Sequence, residues 1–401
     1  MTKNGKIVTG NPEFIRKMNR SLIIKAIMEK ESISRSELEV QTSLALPTIM
    51  RIVSTLLDEG LVIEIGKGNS SGGRKPVMLK MKSDGMYFIG ISVQRMLYVV
   101  LADISGNIIA RYSCETKYNI STETILNQIL EGIDSVVAQS KIDVSKIRFA
   151  GIGIPGTKFK HENNSSGFPF DVWADSEPVD WQKSGKFPCP IIFKNTAKLG
   201  ALGELSFGAA KGGVNSVYVF ADYGVGSGII IDGRLFTGTD GVAGEFGHTI
   251  VELDGLPCYC GNRGCLEMYC STSAIINRFL NDKCASPILK QRLIDNPDFS
   301  LLRSAAYDGD HDALKYIKES ARVLGTGVAG LINLFNPDTV IIGGELPESC
   351  PGYMDIVIQS ARAGIFRKNA TGAGILAGML KSDAIVRGAV ALAMAQVFEH
   401  I

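Results

Sequence analysis

Three thiols and an imidazole form the densest reactive grouping in the chain. Cys258, Cys260 and Cys265 fall within the stretch Pro257-Cys258-Tyr259-Cys260-Gly261-Asn262-Arg263-Gly264-Cys265-Leu266-Glu267, and His248 lies ten residues before the first of them. The chain has eight cysteines (114, 189, 258, 260, 265, 270, 284 and 350), which would suit disulfides only outside the cell. Lys3 and Lys6 are followed by polar residues rather than the apolar core of a signal peptide, and no run of about 18 uncharged apolar residues occurs. The expectation is therefore a cytoplasmic protein without a membrane partner, whose clustered thiols are metal ligands or redox groups. A Cys-x-Cys redox pair is the competing chemistry. Three thiolates and one imidazole, however, complete a closed tetrahedral set that leaves no position for a catalytic water, so His248, Cys258, Cys260 and Cys265 are expected to hold structural Zn²⁺.

At 401 residues the chain is long enough for two or three domains, and its charge is uneven. Residues 1–80 carry 13 Lys/Arg against 8 Asp/Glu, or +5, which leaves −4 for the remainder of a chain whose net charge is +1. A polyanion would bind the basic end. There, Leu22, Ile23, Ala26 and Ile27 recur at helical spacing between Asn19 and Lys30, and Ser34 with Glu37 forms a capping box opening a second helix. A third helix is expected from Pro47 to Glu59-Gly60, although Ala45 at its start offers no side-chain cap. Strands Leu61 to Ile65 and Val77 to Leu79 then flank a turn rich in Gly and Ser. Three helices and a hairpin describe a winged helix-turn-helix that binds operator DNA. Thr48 and Arg51 would sit on the recognition helix, and Lys67, Arg74 and Lys75 on the wing.

The remaining residues show a duplicated pattern. Tyr87 to Val93, a turn at Gln94-Arg95, Leu97 to Asp103, a turn at Ser105-Gly106-Asn107 and Ile108 onward make one strand–turn–strand–turn–strand unit. The second runs from Val217 to Asp222, through a glycine-rich turn at Tyr223 to Gly228, to Ile229–Ile231, Asp232-Gly233 and Arg234-Leu235-Phe236. Two such openings, each followed by helix and strand, predict an actin-like or hexokinase-like α/β fold with its ligand in the cleft between two lobes.

Gly244-Glu245-Phe246-Gly247-His248, followed by Cys258-x-Cys260-Gly261-x-x-Gly264-Cys265-x-Glu267, resembles the signature of the ROK family of sugar kinases and sugar-responsive repressors. Gly151 to Gly156, Asn195 to Glu204, Gly224 to Gly228 and Asn336-Pro337 to Gly343-Gly344 follow in that family's order. The N-terminal head, with its wing Ser70-Ser71-Gly72-Gly73-Arg74, is similar to that of the repressor branch, which includes xylose and N-acetylglucosamine repressors. The resemblance implies a winged helix over residues 1–82, a smaller lobe over 83–200 and a larger lobe over 201–401 whose C-terminal helix returns to the smaller one. It also implies that Asn195, Glu245, His248 and Glu267 hold the hydroxyls of a sugar or amino sugar, and that the protein is a homodimer or higher homo-oligomer. Carboxylates accept two hydroxyl hydrogens each and an amide both donates and accepts, a chemistry suited to a neutral polyol.

Family kinases place an Asp after the Asn as the base for the sugar hydroxyl, and an Asp-x-Gly-Gly-Thr loop for the phosphates. Here the first position is Thr196, and the loop reads Ser92-Val93-Gln94-Arg95-Met96. A threonine hydroxyl cannot take that proton near neutral pH, and two phosphate-facing glycines are replaced. The sequence thus points to a non-enzymatic, sugar-responsive transcriptional regulator with no catalytic residue. An active kinase with an appended DNA-binding head is the alternative.

Overall fold

The computed structural model describes residues 12–30, 32–67, 75–116, 122–156, 181, 185–366 and 372–400. The head comprises α1 (Pro12–Glu29), β1 (Ile33–Ser34), α2 (Arg35–Thr42), α3 (Leu46–Asp58), β2 (Val62–Lys67) and β3 (Val77–Met81). The capping box forms as expected: Ser34 Oγ accepts the Glu37 N–H at 3.2 Å and the Glu37 carboxylate accepts the Ser34 N–H at 2.8 Å. Ala45 gives α3 no side-chain cap. Its carbonyl opens the helix by accepting from Thr48 and Ile49, while Pro47 removes one orphan donor by having no N–H. Two expectations shift. The first helix starts at Pro12 rather than Asn19, and its buried face is Ile23, Ile24, Ala26 and Ile27, with Leu22 turned outward. The short β1 completes a three-stranded antiparallel sheet, order β1-β3-β2, which two residues of sequence could not announce.

The duplication is exact in topology. The first lobe orders its strands β6-β5-β4-β7-β8, from Ile108–Glu115, Met96–Asp103, Tyr87–Val93, Ile147–Ile154 and Ile191–Asn195. The second lobe orders β11-β10-β9-β12-β13, from Arg234–Phe236, Val225–Ile231, Ser216–Ala221, Thr339–Gly343 and Gly374–Ala377. In each, three antiparallel strands are extended by two parallel ones. One correction concerns the expected turn from Tyr223 to Gly228. Strand β10 begins at Val225, so Gly226 and Gly228 lie within it. Their missing side chains admit a helix: a Cβ on Gly228 would stand 2.5 Å from Ala201 Cβ and 2.7 Å from the Ala197 carbonyl oxygen.

That central helix, Thr196–Phe207, and the C-terminal helix, Ala384–His400, lie against each other between the two sheets. The central helix packs on β9 and β10 and the C-terminal helix on β4 and β7. The contact is made by backbone. A Cβ on Gly388 would meet the Leu199 carbonyl oxygen at 1.8 Å, and one on Gly203 the Ala384 carbonyl oxygen at 2.1 Å. The C-terminal helix also joins the head to the lobe: Ile23, Ile27, Leu79 and Met81 share one core with Phe88, Val100, Val386, Val390 and Val397. Among the described residues no single helix is long and apolar enough to cross a membrane. Gly388→Ala is expected to force these helices apart and to cost about 1–3 kcal/mol in a denaturant titration; wild-type stability would show that the crossing is not close-packed.

Candidate functional site

A cavity of about 1020 Å³ lies between the lobes, and Asn195, Glu245, His248 and Glu267 all line it. Thr196, Arg95 and Tyr259 line it as well. At one end the expected metal ligands converge: one donor atom from each of His248, Cys258, Cys260 and Cys265 lies within 4.8 Å of the others. Cys260 Sγ and Cys265 Sγ are 3.6 Å apart, as are Cys258 Sγ and His248 Nδ1. Ligands about 2.3 Å from a tetrahedral centre stand close to that spacing, so the four residues fit a metal ion. The loop holding them is built on backbone. Cys258 N–H donates to the Asn262 carbonyl at 2.8 Å, Gly261 and Gly264 have φ of +90° and +74°, and a Cβ on Gly264 would strike the Glu252 carbonyl oxygen at 1.7 Å. Burial pushes the Cys258 and Cys265 thiols up, and a cation bound among them would supply the charge that holds them as thiolates. The nearby Cys270 is a buried thiol donating to the Leu266 carbonyl.

The polar wall beside this cluster has one unmet need. Glu267, 3% exposed, accepts the Val225 N–H on Oε2 at 2.7 Å, while its buried Oε1 has no hydrogen-bond partner among the described residues. Burial pushes this carboxyl up to about 7, against the Val225 N–H and the Tyr259 hydroxyl, which favour the charged form. A buried acceptor without a partner costs about 1–3 kcal/mol until a donor arrives, and a ligand hydroxyl is such a donor. Glu245 is half-buried and its carboxyl is also raised by burial, with Lys198 opposing. Asn195 is more committed. Its Oδ1 caps the central helix through the Ala197 N–H at 2.9 Å, and its Nδ2 donates to the Gly156 carbonyl at 3.0 Å. Thr196, the first residue of that helix, is buried.

The opposite half of the cleft holds a salt bridge that the sequence did not announce. Arg95, in the β4–β5 turn of the first lobe, meets Asp298 of the second through paired bonds of 3.0 and 2.5 Å. Asp298 is held in place as the N-cap of helix Phe299–Tyr307, accepting the Ser300 N–H at 2.8 Å. Arg95 thus pulls its carboxyl well below the usual range. Behind the pair stand Asp222, Glu345 and Glu348, all raised by burial, Glu345 to about 7, with Arg303 bonded to Glu345 at 3.1 Å. Three carboxyls, two of them half-buried, and a bridging guanidinium line the region where a phosphoryl donor would need positive charge.

In the head, Arg51 is exposed on α3 and Thr48 half-buried one turn earlier. Lys67 ends β2 opposite Val77, and exposed Lys75 enters β3, so both stand at the base of the wing. Arg74, the Ser70 to Gly73 segment and the stretch Lys158 to Trp173 expected over the cleft lie outside the described residues.

A DNA-binding head joined to a duplicated, actin-like cleft without phosphoryl-transfer machinery defines a regulator built on a kinase scaffold. The model of the ROK family matches residues 95–396, and the chain belongs to that family. It is 33% identical over 348 residues to a xylose repressor of Bacillus spizizenii, covering 86% of each chain. It is 30% identical over 365 residues to the DNA-binding transcriptional dual regulator NagC of Escherichia coli, covering 87% of this chain and 86% of that one. Among solved structures it is similar to a ROK family transcriptional regulator described as a homologue of the E. coli MLC protein, with a TM-score of 0.77, 26% identity and 96% of both chains covered.

Because Arg95 is partly exposed, its bridge is worth about 0.5–1 kcal/mol. Arg95→Ala should lower stability by that amount in chemical denaturation, Asp298→Ala by about 0.5–2 kcal/mol more because it also removes the cap of helix Phe299–Tyr307, and the double variant should lose no more than Asp298→Ala alone. Fully additive losses would mean the two side chains are not coupled.

Proposed function

We propose that this protein is a cytoplasmic, sugar-responsive transcriptional repressor that binds operator DNA through its winged head and an effector sugar or amino sugar in the cleft. The reading rests on one observation above others: the cleft wall keeps a buried, unpartnered carboxylate oxygen of Glu267 for a hydroxyl while placing Thr196 where a proton acceptor is required. The names of the repressor relatives support both partners. Asn195, Glu245, His248 and Glu267 surround the effector. The metal is structural Zn²⁺, held by three thiolates and His248, and its chemistry is confined to fixing the loop and the imidazole.

In the head, Arg51 and Thr48 reach base edges, and Lys67, Arg74 and Lys75 meet phosphates. A dimer presents two such heads to a near-palindromic operator. A sugar that binds the closed cleft better than the open one shifts the population between them, and DNA affinity falls by that differential affinity. The domains follow residues 1–82, 83–200 and 201–401, with the C-terminal helix shared with the smaller lobe.

Binding to the DNA upstream of the chain's own coding sequence, measured with and without D-xylose, D-glucose and N-acetyl-D-glucosamine, tests this reading. One sugar should weaken the complex. Arg51→Ala should bind about 1–3 kcal/mol more weakly, and Glu267→Gln should bind DNA normally while its effector affinity falls about tenfold or more. Steady ADP release with Mg-ATP and the same sugars would instead establish the kinase.

Zinc is tested separately. The purified chain should carry about one zinc per protomer, and Cys265→Ser should lose both the metal and the sugar response. A chelated, demonstrably metal-free protein that still answers to its sugar would break the link between metal and cleft.

A further inference from the structure

We propose that the exposed apolar side chains of α3, Met50 above all with Leu46 one turn before it, read thymine C5-methyl groups in the DNA major groove, so that the operator is selected by methyl contact beside a single arginine. The inference rests on the DNA-binding reading above and says which feature of the bases that helix selects. Ile49, Ile52, Val53 and Leu56 turn one side of α3 into the core of the head. At about 100° per residue, the opposite side carries Pro47 and Ser54, with Met50 and Arg51 flanking them, and all four are exposed. Met50 is 55% exposed and Leu46 38%. Both stand in the N-terminal half of the helix, the part that meets base edges in a helix-turn-helix.

Hydrogen-bonding readers are scarce on this surface. Arg51 and Asp58 are the only charged residues of α3. Thr55 donates its hydroxyl to the Arg51 carbonyl at 3.1 Å, and Thr48 is half-buried. Arg51 can take one guanine through its forked N–H groups, and Ser54 offers a single short hydroxyl. The rest of the surface presents carbon. A second protein chain would also bury such side chains, but the head that bears them carries 13 Lys/Arg against 8 Asp/Glu over residues 1–80, with Arg51 exposed among them. Asp58, the acidic residue of α3, lies at its far end, away from Leu46 and Met50. A DNA groove answers both properties at once, since phosphates line it and thymine, alone of the four bases, shows a methyl on its floor. Packing Met50 on that methyl removes two apolar surfaces from water.

The test uses the full chain and the duplex it selects from a randomised pool. Each thymine of that duplex is then replaced singly by deoxyuridine, which removes the methyl and keeps every hydrogen-bonding group. Affinities are read at one fixed salt concentration and again across a salt series. At one thymine or more, the uracil duplex should bind wild type about fourfold more weakly, the loss expected for one buried methyl. Met50 is exposed, so Met50→Ala leaves the core of the head intact. That variant should bind the thymine and uracil duplexes equally at one of those positions, with the salt slope of wild type because no phosphate contact is lost. Uracil tolerated at every position, or a thymine preference that Met50→Ala leaves intact throughout, would overturn the inference. It also falls if Met50→Ala leaves both affinities unchanged and alters the oligomeric state in sedimentation, which would give this face to a second protein chain. If no duplex is enriched from the pool, the DNA-binding reading itself falls and this inference falls with it.

Discussion

The crossing of the central and C-terminal helices is the contact on which the molecule depends. Gly203 and Gly388 let two backbones approach to a distance no side chain permits, and each helix then lies on a sheet of a different lobe. The start of the central helix carries Asn195 and Thr196 into the cleft, so the geometry of the ligand-binding wall is set where the two helices touch. Gly90 and Gly151 extend the same device, since a Cβ on either would meet the Val386 or Ala389 carbonyl oxygen at 2.5 or 2.1 Å. The duplicated fold is thus held by close backbone packing down its middle, with larger apolar side chains closing the outer layers.

Around that axis the two halves of the cleft have diverged in chemistry. The metal end keeps preorganised groups: a carboxylate held by one backbone N–H and a loop whose turns require glycine. The other end has exchanged the backbone amides that cradle phosphates for side chains that attract one another. Arg95 is engaged by Asp298 rather than by a phosphate, and Asp222, Glu345 and Glu348 would repel one. The same substitution that removes a phosphate loop therefore creates a contact between the lobes.

Local signals in the sequence survived folding, and long-range ones were hidden. The capping box at Ser34 and Glu37, the strands of both repeats and the cysteine loop were legible because each depends on residues a few positions apart. The separation of 203 positions between Arg95 and Asp298 concealed their bridge, since an Asp before a helix reads only as a cap. Gly226 and Gly228 read as part of a turn in the sequence because glycine marks a close approach without naming what approaches; here it is Ala197 and Ala201. Tyr259 carried a position between two cysteines but not an orientation, and its ring packing on His248 appears only once the loop is closed.

The way the head is attached limits how a ligand in the cleft can reach DNA. Ile23, Ile24 and Ile27 are almost wholly buried, in a core shared with Val390 and Val397 of the C-terminal helix. Pulling α1 off that helix would expose such side chains at about 1.5–3 kcal/mol each, which exceeds the coupling energy of about 1–3 kcal/mol typical between two ligand sites. Coupling of that size is too small to release the head. The head and the cleft wall sit on the crossed central and C-terminal helices, so the close contact at Gly203 and Gly388 is the packed path that joins them.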